Sequence, residues 1–166
     1  MKNALIVIDI QNDYFPGGAF PLENAEQAGK AAVQAIEKAR REGWLVVNVQ
    51  HVNPAGAAFF AKGSQGVEVQ ADIQQALGDA PLVIKHQADS FFETNLEALL
   101  KAAGVTDIYL AGMMTQHCIT HTALSPQAHG MAVHIVGQAC AAPMQKLSDL
   151  ALRGLSARCQ VLSSMT

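Results

Sequence analysis

The chain of 166 residues carries a net charge of −3 with neutral histidines, and half of its residues are hydrophobic. This length suits one domain with a sizeable core, and the absence of a lysine- or arginine-rich stripe argues against a nucleic-acid partner. No apolar run approaches the ~20 residues of a membrane span, and residues 1–10 do not resemble a secretory signal, so we expect a cytoplasmic protein.

Short apolar runs alternate with helical patterns along the chain. The runs predict strands at residues 4–8, 45–49, 82–84, 108–111, 132–136 and 160–162. The helical patterns predict helices at residues 24–41, 71–77, 93–103, 118–129 and 144–155. Such alternation is typical of a three-layer α/β/α fold with a mostly parallel sheet, and we expect a single domain over residues 1–166.

A long segment with glycine, alanine and proline, residues 53–66, follows the second predicted strand. Its length favours a lid or an oligomer contact over a plain connection. The apolar composition is also compatible with an oligomer interface, and we expect a homodimer or a larger homo-oligomer.

Three reactive side chains come at the ends of predicted strands. Asp9 and Lys85 each close an apolar run, and Cys118 lies where another run gives way to a helical pattern. Because parallel strands share the edge at which ligands bind, we expect the three to lie together. The start of a helix beneath Cys118 is expected to lower the pKa of its thiol.

A carboxylate, a lysine and a cysteine at one edge suggest a hydrolytic centre for a small molecule. The thiolate of Cys118 attacks a carbonyl carbon, Asp9 takes the thiol proton, and Lys85 holds negative charge. Backbone N–H groups at the start of the helix offer an oxyanion hole. Each residue also has an ordinary structural explanation, as a capping aspartate, a solvated lysine or a core cysteine.

Three long motifs resemble the isochorismatase-like cysteine hydrolase superfamily, which includes nicotinamidases and N-carbamoyl amide hydrolases. They are ALIVIDIQNDYFPGGAF, VIKHQADSFFETNLEALLKAAGVTDIYLAGMMTQHCITHTAL and GMAVHIVGQACAA. The resemblance implies a six-stranded Rossmann-like parallel sheet in a dimer or larger assembly. It also implies that Asp9 is the base, Lys85 the charged partner and Cys118 the nucleophile. The oxyanion hole would be the backbone amides of Met114 and Cys118, with a cis peptide between Met113 and Met114.

Two features of the chain bear on its substrate. Zinc-type nicotinamidases carry Asp-x-His after the second strand, whereas here Gln50 and Val52 flank His51 and the aspartate is missing. We therefore expect no metal ion and no cofactor. Isochorismatases proper lack the nucleophilic cysteine, so Cys118 favours cleavage of a C–N bond in an amide, ureide or carbamoyl compound.

Three further positions depart from many relatives: Ser125, Pro126 and Gln138. Ser125 and Gln138 stand where aspartates are common in those relatives. Pro126 falls inside the predicted helix and should kink or shorten it. The departures lie near the expected pocket or interface, so they leave the substrate open.

The predicted substrate pocket consists of Phe15, His51, Phe91 and His117. Packing in the core or at an interface is an equally good explanation for the phenylalanines, and a hydrogen bond to the backbone is an equally good explanation for His51. Phe20 and Phe92 are further aromatic candidates. His117 and His121 have the helical spacing of a two-histidine zinc site, but the intervening glutamate and a third ligand are missing. We expect instead that His117 flanks the nucleophile and that His121 packs or caps.

Two other cysteines and one other function complete the sequence-based hypotheses. We predict Cys159 in the core and Cys140 in a loop after a strand. The alternative to hydrolysis is a catalytically altered protein in which Cys118 acts as a thiol sensor or binds a ligand.

Overall fold

The computed structural model describes residues 2–165, which form a parallel six-stranded sheet with helices on both faces. The spatial order of the strands is β3-β2-β1-β4-β5-β6. The strands are β1 Asn3–Ile8, β2 Leu45–His51, β3 Leu82–Lys85, β4 Asp107–Met113, β5 Ala132–Ala141 and β6 Gln160–Leu162. The predicted three-layer α/β/α fold is confirmed, and every strand pair is parallel.

Within residues 2–165, five α-helices cover the sheet, and short turns of helix lie between them. The helices are α1 Ala25–Arg41, α2 Ala71–Leu77, α3 Leu96–Ala103, α4 Thr120–Ala123 and α5 Gln145–Leu155. A π-helical turn spans Thr115–Ile119, and 3-10 turns span Asn12–Tyr14 and Pro126–Ala128. No helix among residues 2–165 is both long and apolar enough to cross a membrane.

The central strand β1 is buried on both faces, which explains its uninterrupted apolar sequence. Leu5 and Val7 pack in the core beneath α1 and α2. Ala4, Ile6 and Ile8 pack in the second core, beneath α3, α4 and α5. The chain proceeds outward from β1 to β3 and then crosses to β4, so the carboxyl ends of β1 and β4 flank the point where the strand order reverses.

The region after β4 departs most from the sequence-based expectation. The predicted helix at residues 118–129 is wrong, because a π-helical turn precedes a helix of four residues that ends at Ala123. Ser125 accepts a hydrogen bond from the Gln127 N–H and starts a separate 3-10 turn with Pro126 in its first position. The shortening of the helix ahead of Pro126 is confirmed.

Two smaller predictions also fail. Cys140 lies in β5 rather than in a loop, because β5 continues past a register shift in its pairing with β4 and ends at Ala141. The helix predicted from residue 93 begins at Leu96, since the Thr94 hydroxyl accepts the Leu96 N–H and keeps the preceding turn outside the helix. Cys159 is buried as predicted.

The segment between β2 and α2 folds over the carboxyl ends of the strands. The buried carboxylate of Asp13 accepts the backbone N–H of Phe60 at 2.7 Å and that of Ala19 at 3.0 Å. Gly66 lies so close to the same carboxylate that a Cβ atom there would overlap it. Asp13 therefore fastens the segment to the turn that follows β1.

Candidate active site

Asp9, Lys85 and Cys118 lie together at the carboxyl edge of the sheet. Lys85 Nζ is 2.8 Å from Asp9 Oδ2 and 3.3 Å from Cys118 Sγ. The Asp9 and Lys85 side chains are fully buried, and Cys118 is 2% exposed. The structure thus brings together the three residues that the sequence placed at strand ends.

Each of the three side chains reaches the site from a different element. Asp9 directly follows β1, where a backbone φ of +53° turns the chain out of the sheet. Lys85 ends the edge strand β3 beside His51, the last residue of β2. Its long side chain spans the end of β2 to reach Asp9. Cys118 is the fourth residue of the π-helical turn that follows β4.

Hydrogen bonds on both sides hold the turn that carries Cys118. The Thr120 hydroxyl donates to the carbonyl of Thr115 at 2.7 Å, and the Thr115 hydroxyl contacts that of Ser148 in α5 at 2.7 Å. The carbonyl of Met114 accepts the N–H groups of His117 and Ile119. The peptide bond between Met113 and Met114 is cis, as the resemblance implies.

The ammonium group of Lys85 is surrounded by acceptors. Besides Asp9 and Cys118, it contacts His51 Nδ1 at 3.1 Å and the carbonyls of Gln87 at 2.9 Å and Ala88 at 3.4 Å. Burial lowers the pKa of Lys85, but the Asp9 carboxylate and the contact with the Cys118 sulfur outweigh burial, and the pKa is raised. The site therefore contains a permanent positive charge.

The thiol of Cys118 is not acidified as the sequence suggested. Burial raises its pKa, the Asp9 carboxylate raises it further, and Lys85 only partly opposes them. The expected lowering of the thiol pKa is wrong, because burial and the neighbouring carboxylate outweigh any effect of the helix start. The thiol is protonated at rest, so its use as a nucleophile requires a base.

Asp9 is placed to be that base. Apart from the ion pair with Lys85, no nitrogen or oxygen donor among residues 2–165 hydrogen-bonds its carboxylate. A carboxylate oxygen of Asp9 also lies within 4.8 Å of Cys118 Sγ. The carboxylate thus retains the capacity to accept the thiol proton.

The four predicted pocket residues divide between the site and its surroundings. His51 contacts Lys85 directly, and Phe91 is buried in the same core as Cys118. His117 lies close enough for the charges of Lys85 and Asp9 to act on it, and burial is the main cause of its lowered pKa. The structure does not bring Phe15 to this centre, since its ring packs against Gly29 of α1.

The remaining candidates are two exposed phenylalanines and the pair His117 and His121. Phe20 and Phe92 are 41% and 47% exposed. The rings of His117 and His121 meet edge to face, with centroids 5.2 Å apart, which agrees with the expectation that His121 packs.

Sequence reasoning missed several residues that support the centre. Gln11 is buried and bonds both backbone groups of His51, donating to its carbonyl and accepting its N–H, each at 2.9 Å. The Thr122 hydroxyl donates to the Ser90 hydroxyl at 2.9 Å and accepts the Ser90 N–H at 3.0 Å. All three are polar residues within the family motifs, and their presence there is the sequence signal that could have indicated them.

Tyr14 is a fourth missed residue. Its side chain is buried, and burial followed by the Asp9 carboxylate raises the pKa of its hydroxyl. The motif segment QNDY could have indicated Tyr14, because this aromatic residue ends the 3-10 turn that follows Asp9. Tyr14 belongs to the core on the face of the sheet opposite α3.

Comparison with known proteins agrees with this fold. A family model for the isochorismatase domain matches residues 3–166, and the chain belongs to the isochorismatase family. The uncharacterized isochorismatase family protein YddQ of Bacillus subtilis is 37% identical over 150 residues, which cover 90% of this chain and 83% of that protein. Streptothricin hydrolase of Streptomyces noursei is 32% identical over 120 residues, 72% of this chain and 42% of that enzyme.

A solved structure gives the same result for the fold. The pyrazinamidase of Pyrococcus horikoshii in complex with zinc superposes with a TM-score of 0.87 at 25% identity. The superposition covers 98% of this chain and 99% of that chain. The zinc in that structure raises the question of whether the present site would take a metal ion.

The residues present do not fit a metal ion. Within residues 2–165, the one group of three metal-type ligands is Asp9, His51 and Cys118, with donor atoms that lie within 4.8 Å of one another. Lys85 Nζ lies within 3.3 Å of a donor atom of each of them. An ammonium group thus occupies the place of a cation, and a second positive charge there would be repelled.

Proposed function

We propose that this protein is a cysteine hydrolase that cleaves a C–N bond of a small amide, ureide or carbamoyl compound. The observation that carries the proposal is the contact of one buried ammonium group with both a carboxylate and a thiol. Cys118 is the nucleophile, Asp9 the general base and acid, and Lys85 the fixed positive charge. The names of streptothricin hydrolase and pyrazinamidase support hydrolysis as the reaction class.

The first half of the reaction forms a covalent intermediate. Asp9 takes the thiol proton as Cys118 Sγ forms a bond to the carbonyl carbon, and the carbonyl oxygen becomes an oxyanion. The backbone N–H groups of Met114 and Cys118 hold the oxyanion. The C–N bond then breaks, the nitrogen leaves with the proton from Asp9, and a thioester remains on Cys118.

The second half of the reaction restores the enzyme. Asp9 takes a proton from water as the water oxygen attacks the thioester carbon. The C–S bond breaks, the acid product leaves, and Cys118 regains a proton. Lys85 remains an ammonium throughout and lowers the energy of each state in which Cys118 or Asp9 is negative.

The thiol-sensor alternative has less support. A sensing cysteine is typically an accessible thiol of low pKa. Cys118 is buried, and its pKa is raised. The expected homo-oligomer and the cytoplasmic location stay predictions.

The test is hydrolysis of a panel of small amides, ureides and carbamoyl compounds, followed by release of ammonia or amine. The parent is compared with C118A and D9N, and C159A serves as a matched control because Cys159 is buried away from the centre. We expect a covalent adduct of the acyl group on Cys118 in the intact mass of the rapidly quenched parent. Equal hydrolysis by the parent and C118A would refute the mechanism.

A further inference from the structure

His51 lies between the catalytic lysine and the segment that folds over the site. Its ring Nδ1 is 3.1 Å from Lys85 Nζ, and its Nε2 is 2.9 Å from Asn53 Oδ1. Its backbone N–H and carbonyl are both bonded to the side chain of Gln11. Every polar group of His51 thus has a partner.

The partners of His51 determine which ring nitrogen carries the proton. The Asn53 amide donates to the carbonyl of Phe59 at 2.9 Å, so its oxygen is the atom that faces the ring. A carbonyl oxygen accepts hydrogen bonds, so Nε2 carries the proton. In the neutral ring Nδ1 then carries a lone pair, which accepts a hydrogen bond from the Lys85 ammonium.

The charges around the ring keep it neutral. Burial lowers the pKa of His51, and the nearby Lys85 ammonium lowers it further. The Asp9 carboxylate and the hydrogen bond that the ring donates to Asn53 act in the opposite direction, while His86 adds a small lowering effect. The net direction is down, so the ring remains an acceptor at neutral pH.

We propose that His51 is a positioning residue for Lys85, with a ring held in its Nε2–H form by Asn53. This inference rests on the proposed function, in which the positive charge of Lys85 must stay between Asp9 and Cys118. Both ring nitrogens are engaged, so His51 binds neither substrate nor metal, which revises its predicted place in the substrate pocket.

A neutral acceptor suits this position for an electrostatic reason. An ammonium group has three N–H bonds, and here five acceptors lie within 3.4 Å. A carboxylate in place of His51 would draw the ammonium away from the Cys118 thiolate. The imidazole orients Lys85 through a hydrogen bond and adds no competing negative charge.

The first experiment reads the protonation of the ring without any substrate. Protein labelled with ¹⁵N at histidine is examined by long-range ¹H–¹⁵N correlation, and H51N identifies the His51 signals by their loss. We expect one protonated and one unprotonated ring nitrogen, with Nε2 protonated, across neutral pH. An imidazolium, or a proton on Nδ1, would overturn the proposal.

The second experiment measures how well Lys85 supports the Cys118 thiolate. The rate of alkylation by iodoacetamide is followed against pH in H51L, H51N and N53D. Asparagine retains an acceptor atom one bond from Cγ, where histidine has Nδ1, whereas leucine has none. H129Q is the matched control, because His129 is exposed and lies outside the site.

We expect H51L to slow alkylation at neutral pH by ~10-fold, the effect of a pKa shift of one unit in the thiol. H51N should stay within ~3-fold of the parent, and H129Q should match the parent. In N53D the new carboxylate favours an imidazolium that cannot accept from Lys85. Relative to the parent, N53D should therefore be alkylated more slowly at the acid end of the profile, and the difference should disappear as pH rises.

The kinetic constants for a hydrolysed substrate provide a third measurement. A positioning role predicts a lower kcat in H51L with little change in KM, and a substrate-binding role predicts a raised KM. Equal losses in H51L and H51N, or no loss in either, would overturn the proposal. The expected alkylation pattern in a parent that hydrolyses nothing would refute the proposed function and still support the positioning of Lys85.

Discussion

Replacement of Lys85 by methionine tests the energetic account of the buried centre. K85M preserves the length and approximate volume of the side chain but removes the charge. The Asp9 carboxylate then remains in a fully buried location without its ion-pair partner. We expect a large loss of stability in addition to the loss of hydrolysis.

The size of that loss follows from the distance and the burial of the pair. Two unit charges 2.8 Å apart attract by about 6 kcal/mol at an effective dielectric constant of ~20. Desolvation of both groups offsets much of this attraction, yet removal of one partner from a buried pair typically costs ~3–5 kcal/mol. We expect K85M to lose ~3–5 kcal/mol, against a total of ~5–15 kcal/mol for a typical domain.

The assay is urea unfolding, followed by the fluorescence of Trp44. Trp44 is the single tryptophan of the chain, is half-buried and packs against Tyr109 with ring centroids 4.6 Å apart. The control is the double variant D9N/K85M, which removes both charges and should be more stable than K85M alone. The reasoning would be refuted if K85M lost less than ~1 kcal/mol of unfolding free energy. It would also be refuted if the loss in D9N/K85M equalled the sum of the losses in D9N and in K85M.

Three further outcomes are expected. In urea unfolding, G112A should destabilise the fold by ~3 kcal/mol, because its Cβ would lie 1.9 Å from a carbonyl oxygen of β1. G154A, whose Cβ would lie in open space on α5, should stabilise the fold by ~0.5–1 kcal/mol. Equal urea midpoints for the two variants would contradict this. T122V should lose ~1–3 kcal/mol because it leaves the Ser90 N–H unpaired, and T122S should recover most of that loss. Because burial raises the pKa of Cys118, iodoacetamide should alkylate it more slowly at neutral pH than an exposed cysteine. The alkylation rate should still increase with pH above ~9. A rate that reaches its plateau by pH 7 would argue against the raised pKa.

The sequence predicted the convergence of the site because parallel strands share an edge. Asp9 and Lys85 end apolar runs, and no knowledge of strand order was needed to place them on one side of the sheet. The predicted order of strands and helices along the chain follows from the same alternation. Local pattern was therefore sufficient for the architecture.

Features that depend on contacts between distant segments were not predictable from local pattern. The turn that carries Cys118 is π-helical, and one of its supports is a hydroxyl of α5. Cys140 lies in β5 because the pairing with β4 shifts register, which nothing near Cys140 indicates. The surroundings of His51 depend on Gln11 and Asn53, and only the folded chain shows which of their atoms face it.

The location of Lys85 on an edge strand has a consequence for how activity responds to stress. β3 has four residues and pairs only with β2, so it has fewer hydrogen-bonded neighbours than the central strands that precede Asp9 and Cys118. Short edge strands are among the elements that open at low free energy while the rest of a domain stays folded. A brief detachment of β3 would withdraw the ammonium and leave the carboxylate and thiol in place. Mild denaturant should therefore abolish hydrolysis before it unfolds the sheet, and amide exchange in β3 should report the same opening.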